Sequence, residues 1–165
     1  MSTAPSFDSH ASRAERYDQL DLQCPGLLDE LDPVANQANF SALLHAAFAW
    51  HWVGFYRVSG DALVLGPFQG PVACTRLRRG KGVCAAAWER NAVVRVADVD
   101  AFPGHVACSA LSRSEIVLPV RHPDGTVGAV LDIDSTAVGE FTEEDERRLM
   151  RILDRHASRF LSPNS

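Results

Sequence analysis

The spacing of hydrophobic positions changes several times along the chain, and each change predicts an element. Residues 33–50, PVANQANFSALLHAAFAW, place Val34, Phe40, Leu43, Leu44, Ala47, Phe48 and Trp50 at three- and four-residue steps, with Pro33 in a tolerated first-turn position. That is an amphipathic helix. Aromatic and β-branched runs follow, Trp52-Val53-Gly54-Phe55-Tyr56-Arg57-Val58 and Ala62-Leu63-Val64-Leu65-Gly66, separated by the turn cluster Ser59-Gly60-Asp61. They predict an antiparallel hairpin. A third strand is expected over 72–77, after which Gly80-Lys81-Gly82 opens an alanine-rich short helix ended by Asn91, with Cys84 near its N-terminus. Residues 93–96 read as a short strand and 98–114 as a long irregular loop, the kind of segment in which function concentrates. The runs 115–120 and 126–133 flank His122-Pro123-Asp124-Gly125, a hairpin turn, and their unbroken apolar character predicts central strands covered on both faces. A closing helix begins after Thr142, an N-cap with Asp145 three positions on, and carries Leu149, Ile152, Leu153 and Phe160 on one stripe. The order of elements fits an α+β sandwich built on an antiparallel sheet.

Length and charge narrow the function classes. At 165 residues and 46% hydrophobic, the chain is expected to form one domain, residues 15–162, preceded by a polar and flexible tail over 1–14. Sixteen basic against twenty-one acidic side chains give a net charge of −5, which opposes sequence-independent binding to nucleic acid or an anionic membrane surface. No run approaches the roughly 20 apolar residues of a membrane-spanning helix. The opening stretch carries acids and has no apolar core, so it does not read as a secretory signal. The default is a cytoplasmic, reducing location, where the four cysteines, Cys24, Cys74, Cys84 and Cys108, are buried, reactive or metal-binding rather than structural disulfides.

No cysteine pair has C-x-x-C spacing, so a zinc site is weakly supported. Cys84 could draw thiolate character from a helix N-terminus and from Arg78, Arg79 and Lys81, and Cys108 from His105 or Arg113. Glu115, Asp132 and Asp134 stand at the ends of apolar runs, and the period of two puts Asp132 and Asp134 on one face of a strand. Acids there bind an ammonium group or move protons, although Asp134-Ser135-Thr136 by itself reads as a turn. Trp52 and Tyr56 share a strand face and pack a core or wall a pocket. Residues 66–71, Gly-Pro-Phe-Gln-Gly-Pro, read as a rigid turn.

Seven blocks, HWVGFY, LVLGPFQGPVACTRL, GKGVCAAAW, GHVACSA, SEIVLPV, VLDIDST and FTEEDE, resemble in order and spacing the free methionine-(R)-sulfoxide reductase family, a catalytic branch of the GAF domains. The resemblance implies a GAF fold, a central antiparallel sheet with helices packed on one side. It also implies reduction of the R-epimer of free L-methionine sulfoxide to methionine, with peptide-bound sulfoxide excluded. By the same resemblance Cys108 in GHVACSA attacks the sulfoxide sulfur and becomes a sulfenic acid, Cys74 resolves it, and Cys84 is an auxiliary resolving or recycling thiol. A sulfenic acid condenses with a nearby thiol to a disulfide that an external dithiol reduces. Thioredoxin, fed by NADPH through thioredoxin reductase, is the expected donor, with no bound cofactor or metal and a homodimer as the expected assembly. Glu115, Asp132 and Asp134 would hold the sulfoxide oxygen and the substrate's amino group, and Trp52 and Tyr56 would wall its S-methyl group. The alternatives are a non-catalytic GAF sensor, since one fold hosts many functions, and a zinc-binding module using Cys74, Cys84 and Cys108. Against the sensor stand the three family cysteines, the pocket acids and the lack of an attached output domain.

Overall fold

The strand register divides the molecule into two packed layers around one sheet. The computed structural model describes residues 4–163. Its chain order is α1 (Arg13–Leu27), α2 (Pro33–Phe48), β1 (Trp52–Ser59), β2 (Ala62–Gln69), β3 (Arg76–Arg78), α3 (Gly82–Arg90), β4 (Val94–Val96), β5 (Ser114–Arg121), β6 (Val127–Ser135), α4 (Glu143–Arg155) and α5 (Ala157–Phe160). The six strands form one antiparallel sheet in the order β3-β2-β1-β6-β5-β4. Successive side chains point to opposite faces, so Val53, Phe55, Ile116, Leu118, Leu131 and Ile133 face a core shared with α1, α2, α4 and α5. Trp52, Tyr56, Val117 and Val130 face a second, smaller cluster under α3. Both faces of β1, β5 and β6 are covered, which is why these strands read as near-continuous apolar runs.

Three local expectations are corrected. First, β2 continues through the supposed turn at Gly66-Pro67. Tyr56 pairs with Leu65 but Gly54 pairs with Phe68, so a bulge leaves Gly66 and Pro67 opposite Phe55 and the missing proline N–H removes no ladder bond. Second, the third strand shrinks to Arg76–Arg78, because β3 pairs only with Ala62, Leu63 and Val64 of β2. Residues 72–75 instead cross the sheet face, held where the Trp52 indole N–H donates to Pro71 O (3.1 Å) and the Tyr56 hydroxyl to Cys74 O (2.8 Å). Third, helices pack on both faces, since α3 takes the face opposite α1, α2 and α4.

α1 begins at Arg13 behind a capping box of Ser12 and Glu15. The N-terminus of α4 anchors it: buried Asp145 accepts from Thr142 N (2.8 Å), the Arg13 guanidinium (2.6 Å) and the Tyr17 hydroxyl (2.7 Å). Tyr17→Phe takes one donor from a fully buried carboxylate, and an unpaired buried acceptor is costly, so urea unfolding should show a loss of about 1–2 kcal/mol. An unchanged midpoint would mean that Arg13 and the cap satisfy Asp145 alone. Among the described residues no helix is long and apolar enough to cross a membrane.

Candidate active site

The β1–β6–β5 registers assemble the site. Trp52 pairs with Asp134 and Gly54 with Asp132, while Glu115 pairs with Asp134 and Val117 with Asp132. All these positions lie on the α3 side of the sheet, so residues 15 to 82 apart in the chain meet over three adjacent strands. Asp134 is therefore a strand residue and not part of a turn, a correction that follows from β6 extending to Ser135. Trp52 stacks between Tyr56 (ring centroids 5.9 Å apart) and Phe68 (5.2 Å). Gly54 leaves room for this stack: a Cβ there would press into Phe68 and come within 2.7 Å of the Trp52 ring.

These side chains floor and wall one pocket, lined by Trp52, Tyr56, Cys84, Cys108, Glu115, Asp132 and Asp134 together with Ser109, Ser112 and His105. Cys74 joins it through a disulfide to Cys108, with Cα atoms 5.6 Å apart. Cys84 and Cys24 are free and buried. Cys24 belongs to the opposite core, where burial pushes its thiol up to about 12, well outside the reactive range. In this disulfide form Cys74 and Cys108 offer no thiolates, so the zinc module that required both of them with Cys84 is not assembled here.

Burial dominates the electrostatics. Glu115 and Asp132 are each 6% exposed, and desolvation holds both carboxyls well above the usual carboxylate range, reinforced for Glu115 by Asp134 and for Asp132 by Glu115. Asp134 is raised by burial and by Asp132, with Ser112 pulling the other way. Three acids this close share protons rather than carry three full charges. The same surroundings overturn the expected activation of Cys84: its thiol faces Asp132 and Glu115, and burial with those charges drives it well upward. Of the basic residues meant to activate it, Arg79 is engaged elsewhere, its guanidinium 3.8 Å above the Trp88 ring, and Lys81 lines the pocket without outweighing the acids. His105 Nε2 sits 3.5 Å from a Glu115 carboxyl oxygen, which places the Cys108 loop against the acids.

Several contacts that position the Cys108 loop were not legible in the spacing of the sequence. His51 Nε2 shares a hydrogen bond with Ser109 Oγ (3.0 Å), and the N–H of Gly82 donates to Gly104 O (3.0 Å). Gly82 has φ +84°, and a Cβ on it would meet Val106 at 3.2 Å, so glycine lets α3 start against this loop. Such contacts join segments more than twenty residues apart, and spacing along the chain does not reveal them.

Residues 36–162 match the GAF domain family. The chain is 46% identical over 144 residues to the free methionine-R-sulfoxide reductase of Escherichia coli K12, covering 86% of this chain and 87% of that one. It belongs to the free methionine-R-sulfoxide reductase family of GAF domains. The family's baker's yeast member is 36% identical over 156 residues, 89% of this chain and 87% of its own. Among solved structures, the Neisseria meningitidis free methionine-R-sulfoxide reductase in complex with its substrate superposes with a TM-score of 0.90 at 47% identity, covering 95% of each chain.

Proposed function

We infer that the protein reduces free L-methionine-(R)-S-oxide to L-methionine. The observation that carries this reading is the half-buried Cys74–Cys108 disulfide at a pocket with a floor of buried acids and a wall of stacked rings. Family membership supplies the substrate class.

In the reduced protein Cys108 attacks the sulfoxide sulfur, the oxygen passes to Cys108 as a sulfenic acid, and methionine leaves. Breaking the S–O bond requires a proton on that oxygen. The trio Glu115, Asp132 and Asp134 is the source of that proton, because burial and mutual repulsion favour the protonated form of these carboxyls over the ordinary carboxylate. The same acids hold the substrate's ammonium, and Trp52 and Tyr56 contact its S-methyl group. The Cys74 thiol then displaces water from the sulfenic acid, forming the disulfide. Two electrons from thioredoxin, supplied by NADPH through thioredoxin reductase, restore the dithiol. Val72, 88% exposed and lining the pocket, offers an apolar contact for a docking dithiol protein. Cys84 is the auxiliary thiol, too strongly protonated to lead. A homodimer completes the reading, supported by the exposed Leu22 of α1 (83%) and Leu31 (87%), and light scattering would test it.

The test is NADPH consumption with thioredoxin, thioredoxin reductase and each epimer of free methionine sulfoxide. Consumption with the R-epimer alone is expected; none with either epimer, from a fully reduced protein, would overturn the reading. For Cys74→Ser one equivalent of methionine per chain should form while thioredoxin-driven cycling fails. Cycling at the normal rate would make Cys84 the resolving thiol.

A further inference from the structure

Cys84, Glu115 and Asp132 form a group whose arrangement goes beyond the needs of sulfoxide reduction. Their ligand atoms, Sγ and one oxygen from each carboxyl, all lie within 4.8 Å of one another. The three residues are 4%, 6% and 6% exposed, and they project from α3, β5 and β6, elements locked together by the sheet and the smaller core. A second observation points into the same space: Asp132 Oδ1 is buried and no described residue outside the trio donates to it, the side chain's hydrogen bonds being confined to Glu115 and Cys84. Buried acceptors are nearly always satisfied, so this one is set for a ligand bearing positive charge or a donor.

We propose that this trio binds a borderline-soft divalent cation, with Zn2+ as its representative, in competition with the sulfoxide substrate. The proposal rests on the reductase reading only for what the cation displaces. Zinc takes sulfur at about 2.3 Å and carboxylate oxygen at about 2.0–2.2 Å, so donors sharing it stand roughly 3–4 Å apart. Modest side-chain rotation closes the present trio onto such a centre, and the pocket leaves a fourth position for water or Asp134. The thiolate donor selects zinc over magnesium or calcium, which prefer all-oxygen sets. A dication also relieves the crowding of acids that a substrate ammonium neutralises only in part. On binding, the Cys84 thiol proton, with any proton shared by Glu115 and Asp132, passes to solvent.

The disulfide form isolates the site, because only Cys24 and Cys84 remain as thiols and Cys24 lies in the opposite core. The oxidised chain is dialysed against Zn2+ and its metal content measured. One zinc per chain is expected, with affinity lowered at least about tenfold in both Cys84→Ser and Asp132→Asn, each checked for a native circular dichroism spectrum. In the reduced enzyme Zn2+ should raise KM for the sulfoxide without lowering kcat. The proposal fails if the oxidised chain takes up no stoichiometric zinc, or if both folded variants bind it as tightly as the parent. It fails equally if zinc binds only after reduction and is lost in Cys74→Ser. Metal content is read without turnover, so an inactive protein that binds zinc removes the reductase reading alone, and an active one that does not removes the cation site alone.

Discussion

Cys108→Ser should abolish turnover of the free R-sulfoxide while leaving the fold unchanged. A serine hydroxyl at the pocket is a poor nucleophile toward sulfur and cannot form a sulfenic acid, so both the oxygen-accepting step and the later disulfide disappear together. The expected fall in kcat/KM is on the order of 10^3-fold or more, the scale on which loss of a covalent nucleophile acts. The site tolerates the exchange structurally, since Cys108 is half-buried at the edge of the smaller core and oxygen is smaller than sulfur. Two readouts separate the roles: NADPH oxidation with thioredoxin, and methionine formed in a single turnover without any reductant. Both should vanish. Single-turnover methionine at more than about a tenth of the parent yield would move the nucleophile to another thiol, with Cys84 the one nearest to hand in the pocket.

Asp132→Asn should move activity and stability in opposite directions. Removing one member of the proton-sharing trio takes away a proton source for the departing oxygen and a counter-charge for the ammonium, an effect on the order of 10^2- to 10^3-fold in kcat/KM. Stability follows from linkage. The folded-state values of Glu115, Asp132 and Asp134 lie above those of an unfolded chain, so the folded protein holds more protons between the two. The stabilisation from that excess is complete below about pH 4, where carboxyls of the unfolded chain are protonated too, and is lost as pH rises through the folded values. At neutral and alkaline pH the trio therefore weakens the fold. Asparagine at 132 cannot ionise, so the variant should gain about 1–3 kcal/mol at pH 8 and show a shallower decline between pH 5 and 8. Thermal unfolding across that range checks it. A variant less stable than the parent at pH 8, or a parent that gains stability as pH rises, would contradict the burial of these acids as the governing effect.

Periodicity along the chain determined much of this protein. The helix at Pro33–Phe48, the hairpins around Gly60 and Asp124-Gly125, and the capped start of the helix after Thr142 are all set by local spacing and turn chemistry, whose period a single segment carries within itself, although that last helix ends at Arg155 and Phe160 falls in the separate α5. The ordered blocks from HWVGFY to FTEEDE carried the family, because a shared function keeps several separated residues at once. Tertiary structure decided what depends on registers between distant strands. Nothing near Gly66-Pro67 reveals that a bulge opposite Phe55 carries the strand through them, and nothing near Asp134 reveals its pairing with Trp52 and Glu115. Cys84 shows the same division most sharply. Its place near a helix N-terminus was legible and suggested an activated thiolate, yet the strands beneath that helix bring Glu115 and Asp132 to it, and desolvation with two acids outweighs a helix terminus and drives the thiol upward. Local geometry is written in adjacent residues, whereas the field at a buried atom is summed over whichever segments the fold brings around it.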